Sequence, residues 1–242
     1  MPSLEKYKSS LDYTYAPGLF PTLEALAHCP QRVMRVLLST ALSDNAALSQ
    51  IEALCKQHTI RIETADRALS RISGKDNCFA AAVVRKQTAP LNNDTRHLVL
   101  HNPSDKGNLG TILRSALGFG FLDIAVITPA ADLFDPHVVR SSMGAIFSLK
   151  VCAFDTFEAY RALYPRHALY PFMLDGSKTL REATQNLLRP YALIMGNEGS
   201  GLPSTFREKG VPVRIAHSDA IDSLNLSVAA SIGMYAFVQA EQ

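Results

Sequence analysis

The stretch GNLGTILRSALGFG, residues 107–120, decides how the chain is divided into strands and helices. It follows the apolar run HLVLH, residues 97–101, so the two together have the form of a strand that leads into a helix. One core-facing stripe is formed by apolar residues at helical spacing, namely Leu109, Ile112, Leu113, Ala116 and Leu117. Arg114 lies about 120° from the centre of this stripe at 100° per residue, so it can point away from the core.

The same alternation of strand and helix patterns continues to the end of the chain. Strands are predicted at 97–101, 121–128, 149–154, 169–174, 191–196 and 211–216. Helices are predicted near 109–119, 136–146, 156–163, 179–188, 203–208 and about 224–239. Strands that are apolar throughout and alternate with helices imply a parallel sheet covered on both faces. This part of the chain is therefore predicted to be a doubly wound α/β domain.

A polar segment with one proline, QTAPLNNDTR at 87–96, is the predicted linker, and it divides the chain into domains 1–93 and 94–242. The first domain is predicted to be a small α/β unit. Its predicted helices are PTLEALAHC at 21–29 and AALSQIEALCKQH at 46–58. Its predicted strands are RVMRVLLS at 32–39, IRIET at 60–64 and FAAAVV at 79–84.

Composition places the chain among globular proteins with a sizeable core, since 47% of its 242 residues are hydrophobic and 19% are charged. No apolar stretch reaches the roughly 20 residues of a membrane span, and the first residues lack an apolar signal-peptide core. We therefore expect a cytoplasmic protein with no membrane partner. Four scattered cysteines, without CxxC or zinc-ligand spacing, predict reduced thiols and no metal site.

The net charge is +2, with an excess of three basic residues over 1–93 and of one acidic residue over 94–242. The small total says little about nucleic acid, because phosphate binding depends on local clustering. A basic cluster in the first domain fits either a solvated face or an RNA-binding surface: Arg61, Arg67, Arg71, Lys75, Arg85 and Lys86.

Two further stretches have features of a functional site. ALIMGNEGSGLP, residues 192–203, is a buried strand that enters a loop with three glycines and one carboxylate. Such loops at the carboxyl ends of parallel strands bind ligands, and glycine allows a close backbone approach. DSLNLSVAASIGMYAF, residues 222–237, opens a final helix that is apolar on nearly every side, which fits either an internal core helix or an intersubunit surface. Asn108, Ser223 and Asn225 are each also explained as helix caps.

Two common nucleotide-binding motifs do not fit. The loop 196–201 is not followed by the Lys-Ser/Thr of a Walker A motif. The glycines at 107, 110, 118 and 120 do not have the GxGxxG spacing of a dinucleotide-binding turn, which argues against a dehydrogenase.

Together the three stretches resemble, motif for motif, the SpoU (TrmH) group of the SPOUT RNA methyltransferases. The first motif is similar to residues 108–114, the second to 196–201 and the third to 223–230. The segment DPHVVRSSMGAIF, residues 135–147, matches the segment that usually lies between them. The resemblance covers residues 95–240. It implies an α/β domain whose C-terminal segment forms a deep trefoil knot.

The resemblance also implies a reaction. S-adenosylmethionine would donate a methyl group to a ribose 2′-hydroxyl of structured RNA, on a homodimer formed through the C-terminal domain. Backbone groups of Gly196, Ile215 and Leu224, together with Asn225, would bind the cofactor. Ala216 follows Ile215 where the group usually has proline, so this loop is expected to be less stiff.

The N-terminal part looks like a ribosomal-protein-like substrate-binding domain, which favours ribosomal RNA as the substrate. This chain has Asn77-Cys78-Phe79 where that domain usually has His-Gln-Gly. A transfer RNA 2′-O-methyltransferase and a non-catalytic knotted RNA-binding or ribosome-assembly factor are the alternatives.

Arg114 matches the residue usually proposed as the base of this reaction. An arginine side chain has a pKa above 12, and lowering it to near 7 would cost about 7 kcal/mol at about 1.4 kcal/mol per unit. We therefore expect a charged Arg114 that holds the developing alkoxide or the adjacent phosphate. Asn108 and Glu198 are expected to orient the guanidinium, while Ser223 and Asn225 fix the cofactor loop and the ribose.

Overall fold

The computed structural model describes residues 4–43, 45–73 and 78–242. The chain forms two compact units. The first combines Met1–Gln87 with Asp132–Ser148, and the second combines Thr88–Ala131 with Leu149–Gln242. Lys75 and Asn77, which the sequence analysis names, lie outside the described residues.

The first unit is a four-stranded sheet with helices. Its elements from residues 13 to 85 are β1 (Tyr13–Pro17), α1 (Leu19–His28), β2 (Val33–Leu38), α2 (Ala46–Gln57), β3 (Ile62–Thr64), α3 (Asp66–Ser73) and β4 (Ala80–Arg85). The strand order is β1-β4-β2-β3, and β4 is antiparallel to both of its neighbours. The predicted strands and helices of this part are confirmed. Two elements lack a sequence signal, because β1 reads YTYAP without an aliphatic run and α3 is short and polar.

The rest of the chain supplies the larger sheet. Its elements are β5 (His97–His101), α4 (Lys106–Gly118), β6 (Asp123–Ile127), α5 (Pro136–Ser141), β7 (Lys150–Phe154), α6 (Phe157–Leu163), β8 (Ala168–Pro171), β9 (Lys178–Thr179), α7 (Leu180–Thr184), β10 (Tyr191–Met195), β11 (Val213–Arg214) and α8 (Leu226–Gln239). The sheet has the order β7-β6-β5-β10-β8, and every pairing in it is parallel. The predicted parallel α/β fold is confirmed.

Four predicted elements differ clearly in length or type. The helix predicted at 179–188 is the five-residue α7, which ends at Thr184. The strand predicted at 211–216 is the two-residue β11, which pairs with β9 outside the large sheet. The helix predicted at 203–208 is a 3-10 helix over Ser204–Glu208. The helix predicted at 136–146 ends at Ser141, because Met143 and Gly144 both have positive φ, and a 3-10 turn follows at Ala145–Ser148.

The division into units also differs from the predicted one. Residues 132–148 fall in the predicted second domain, yet they pack with the first unit. The reason is local: α5 packs on β1, the 3-10 turn packs on α1, and the Thr14 hydroxyl donates a hydrogen bond to the Phe134 carbonyl. A segment of the second half of the sequence therefore completes the first unit.

All four cysteines are free thiols, as the sequence predicts. Among the described residues, no helix is long and apolar enough to cross a membrane. Within the same ranges, no group of three or more His, Cys, Asp or Glu side chains could hold a metal ion. The trefoil knot stays a prediction.

Candidate functional site

The site lies at the carboxyl edge of the large sheet, where β5 and β10 are neighbours. Met195 is in register with Leu100, so the two strands end at the same level. From β5 the sheet continues through β6 to β7, and from β10 it continues to β8 on the other side. Loops that leave a parallel sheet at such a change of direction form a ligand-binding crevice. The second motif begins in the loop after β10, and the first begins at Asn108 in α4, the helix that follows the loop after β5.

Glu198 joins the two loops. One carboxylate oxygen accepts hydrogen bonds from the Ser104 backbone N–H at 3.0 Å and the Ser104 hydroxyl at 2.8 Å. The other accepts from the Asp105 N–H at 3.0 Å. Burial raises the pKa of Glu198, but these N–H donors lower it by more, so its pKa lies below the ordinary value. Asp105 in turn caps α4, because its side chain accepts from the Asn108 N–H at 2.6 Å.

The glycine loop after β10 is closed by its own backbone. Asn197 and Gly201 exchange N–H···O hydrogen bonds of 3.1 and 3.0 Å, and Gly201 has a φ of 65°. A Cβ atom on Gly196 would lie 2.3 Å from the Gly201 carbonyl carbon and 2.5 Å from the Leu202 nitrogen. Neither neighbour is a flexible side chain, so position 196 accepts glycine alone.

The first and third motifs are joined by two asparagines. The Asn225 amide donates to the Asn108 side-chain oxygen at 3.0 Å. The Asn225 oxygen accepts from the Ser227 N–H at 2.8 Å, which makes Asn225 the N-cap of α8. Asn108 is not a cap, since Asp105 has that position in α4. Each amide group therefore has a defined orientation.

A cavity of about 390 Å³ lies among these loops, within the size range of small-molecule sites. Five of the predicted site residues line it: Gly196, Glu198, Ile215, Ser223 and Leu224. Part of its wall is apolar, through Met195, Leu202, Val213 and Leu226. Asn108, Arg114 and Asn225 are outside the lining, although Asn225 directly follows Leu224.

Three ionisable residues of the lining are missing from the sequence prediction: Asp175, Arg207 and His217. Asp175 and Arg207 form an ion pair, and both side chains are about half exposed. Asp175 and His217 each directly follow a predicted strand, and this position at the carboxyl edge could have identified them. Arg207 lies in a short 3-10 turn, where no sequence pattern marks it.

Arg114 lies on the exposed side of α4, as its place in the helical pattern predicts. It makes no hydrogen bond or ion pair with any residue that the structure describes. Asn108 binds Asn225 and Glu198 binds Ser104 and Asp105, and neither forms a hydrogen bond or ion pair with Arg114 in the part of the chain that the structure describes, so the expectation that they orient Arg114 stays a prediction. The guanidinium is therefore free to bind another anionic group.

The parallel α/β fold has a cavity at its carboxyl edge that is lined by residues of the second and third motifs, and comparison with known proteins identifies the class to which it belongs. The profile of the SpoU rRNA Methylase family matches residues 95–235. The chain belongs to this family, and the predicted resemblance is confirmed.

Named relatives fall in the same group. A 23S rRNA (uridine(2479)-2′-O)-methyltransferase of Streptomyces viridochromogenes is 32% identical over 62% of this chain and 54% of its own length. The 23S rRNA (guanosine-2′-O-)-methyltransferase RlmB of Pseudomonas putida is 25% identical over 97% of this chain and 98% of its own length. The chain thus matches about half of the first relative and nearly all of the second.

A solved structure shows the same architecture. The SpoU methyltransferase AviRb from Streptomyces viridochromogenes, in complex with the cofactor AdoMet, has a TM-score of 0.78 and 25% identity. The match covers 95% of this chain and 91% of that one.

We predict that Gly196→Ala lowers the free energy of unfolding by about 2 kcal/mol or more, because the new methyl group meets two backbone atoms. Urea unfolding followed by circular dichroism measures this change. Gly199→Ala is the matched control, since the nearest atom to its new Cβ would be 3.6 Å away. Equal stability of the two variants would contradict the close approach of the loop at Gly196.

Proposed function

We propose that the chain transfers a methyl group from S-adenosylmethionine to a ribose 2′-hydroxyl of structured RNA, with ribosomal RNA as the favoured substrate. The observation that carries this proposal is a cavity lined by the second and third motifs, to which the first motif is joined by the hydrogen bond between Asn108 and Asn225. The names of two relatives, both 23S rRNA 2′-O-methyltransferases, support the reaction and the substrate. Cytoplasmic localisation remains part of the proposal.

The cavity fits S-adenosylmethionine by size and by chemistry. Gly196, Ile215 and Leu224 bring three backbone segments to the lining. Apolar side chains of the lining suit the adenine ring, and the lining also contains the Asp175 carboxylate, which is paired with Arg207. Bound there, the cofactor would supply an activated methyl group.

Arg114 has the chemistry to hold the substrate. Its charge is permanent, and its planar guanidinium offers paired N–H donors to a phosphate or a developing alkoxide. Because it has no partner among the described residues, binding an anion would not require breaking an ion pair. The proton of the ribose hydroxyl would pass to another group or to water.

We also propose that the active protein is a homodimer formed through α8. Val228 and Tyr235 are seven residues apart, so they share one face of α8, and they are 47% and 54% exposed. Another side of α8 packs on α4, where the Ser231 hydroxyl donates to that of Ser115 at 2.9 Å. A second copy on this face would cover the exposed side chains.

Ribosomal RNA is favoured over transfer RNA because the match to RlmB includes the first unit as well as the second. A non-catalytic RNA-binding or ribosome-assembly factor is the other alternative. The presence of Asn108, Arg114, Glu198, Ser223 and Asn225 together favours turnover.

We predict that Arg114→Ala lowers the single-turnover rate of ribose methylation by about 100-fold or more, because a charge-stabilising group is lost. The affinity for S-adenosylmethionine, measured by calorimetry, is expected to stay unchanged, since Arg114 is outside the cavity lining. Arg114→Lys should remain well below the wild-type rate, because lysine lacks the paired donors. Ribosomal RNA from a strain lacking the gene is the substrate, and Arg181→Ala, at an exposed arginine of α7, is the control. Loss of cofactor binding in Arg114→Ala, or full activity in Arg114→Lys, would refute this role.

For the dimer, multi-angle light scattering at micromolar concentration should give twice the chain mass of 26.4 kDa. Tyr235→Glu should give a species of single mass, because it places a charge in the apolar interface. Val211→Glu is a control at an exposed apolar residue outside α8. A wild-type protein of single mass would argue against the dimer.

A further inference from the structure

Two phenylalanines are exposed to solvent, unlike the others. Of the 11 in the chain, eight are buried and Phe119 is half-buried. Phe20 and Phe79 are 65% and 38% exposed. Water contact with an aromatic ring is unfavourable, and isolated exposed rings are common on protein surfaces, so what matters is where these two lie.

Both rings lie at one edge of the sheet of the first unit. Phe20 is the second residue of α1, and Phe79 directly precedes β4. The Gly18 N–H donates to the Ala80 carbonyl at 2.8 Å, which joins the end of β1 to the start of β4. The Ser39 N–H donates to the Phe79 carbonyl at 2.9 Å, which brings the end of β2 to the same place.

The two charged residues at this edge, Asp66 and Arg67, differ in their interactions. Asp66 opens α3 there, and its carboxylate accepts hydrogen bonds from the Ser39 hydroxyl, the Thr40 N–H and the Thr40 hydroxyl at 2.6, 3.0 and 2.7 Å. Its neighbour Arg67 is exposed and forms no ion pair with the residues that the structure describes. The negative charge is thus satisfied locally, while the positive charge is available to a ligand.

The wider charge distribution agrees with a polyanionic ligand. The sequence segments of the first unit contain 12 basic and 10 acidic residues, whereas those of the second contain 12 of each. The cavity-bearing unit therefore has no net charge from these residues, while the first unit has an excess of two positive charges. An RNA substrate would gain more from the first unit.

We propose that Phe20, Phe79 and Arg67, here called the aromatic edge, bind a single-stranded part of the substrate RNA. The two rings would stack on unpaired nucleobases and Arg67 would bind a backbone phosphate. This inference rests on the proposed function, which makes RNA the substrate. A protein partner fits less well, because two partly exposed rings supply only a small part of the about 800 Å² per side that is typical of a stable interface.

The absence of tryptophan from the sequence allows a direct test. Phe20→Trp and Phe79→Trp each introduce a single indole, whose fluorescence a stacked nucleobase quenches. We expect quenching when a short single-stranded RNA of mixed sequence is added to either full-length variant. Leu188→Trp, at a 64% exposed residue of the second unit, is the matched control and should keep its emission.

Affinity measurements separate stacking from general apolar contact. Phe20→Ala and Phe79→Ala should each weaken binding of the same RNA about fivefold or more, while Phe20→Tyr and Phe79→Tyr should bind as the wild type does. RNA binding with unchanged emission and affinity in all variants would overturn the aromatic edge and leave the proposed function standing. A change in emission at position 20 with protein concentration alone would instead indicate a second copy and would also overturn it. Failure of the wild type to bind ribosomal RNA would refute the proposed function itself.

Discussion

The site depends on one half-buried carboxylate that joins two loops. The carboxylate of Glu198 takes the N–H groups of Ser104 and Asp105, which directly precede α4, where a helix presents unpaired donors. Without an acceptor these N–H groups would require water, and the two loops would have no shared bond at this point. Asp105 in turn caps α4, and Asn108 of that helix accepts a hydrogen bond from Asn225. A continuous series of hydrogen bonds therefore connects Glu198 to the start of α8.

The sequence analysis assigns Asn108, Glu198 and Arg114 to one group of interacting side chains. In the structure, two of them bind neighbouring loops and the third forms no hydrogen bond or ion pair with them in the described part of the chain. Glu198 and Asn108 hold loops, and the permanently charged Arg114 is left exposed on α4. A guanidinium bound to Glu198 would be neutralised before any substrate arrived. The Arg114 guanidinium, unpaired among the described residues, can therefore bind a phosphate or a developing alkoxide, the two groups that the proposed reaction requires a positive charge to stabilise.

Much of the fold follows from the sequence because the strands are apolar throughout and the stripe of α4 has a clear helical period. Gly196, Ile215, Ser223 and Leu224 also meet as the motifs predict, since loops at one edge of a parallel sheet must be close. The partners of Glu198 could not be predicted, because they lie more than 90 residues away and depend on the exact end of β5. The packing of α5 on β1 could not be predicted for the same reason, because the two elements are far apart in sequence and local patterns do not indicate tertiary contacts.

The most direct test of this account is the affinity for S-adenosylmethionine of the Glu198→Gln variant, measured by calorimetry. Glutamine keeps the size of the side chain but replaces one acceptor by a donor, so the hydrogen bonds to either Ser104 or Asp105 are lost. With about 1.5–3 kcal/mol for a hydrogen bond to a charged group, we expect binding to weaken about 10-fold or more while the circular dichroism spectrum stays unchanged. Glu208→Gln, at an exposed carboxylate of the neighbouring 3-10 helix, should bind as the wild type does. Wild-type affinity in Glu198→Gln would contradict the central role of this carboxylate in forming the cavity.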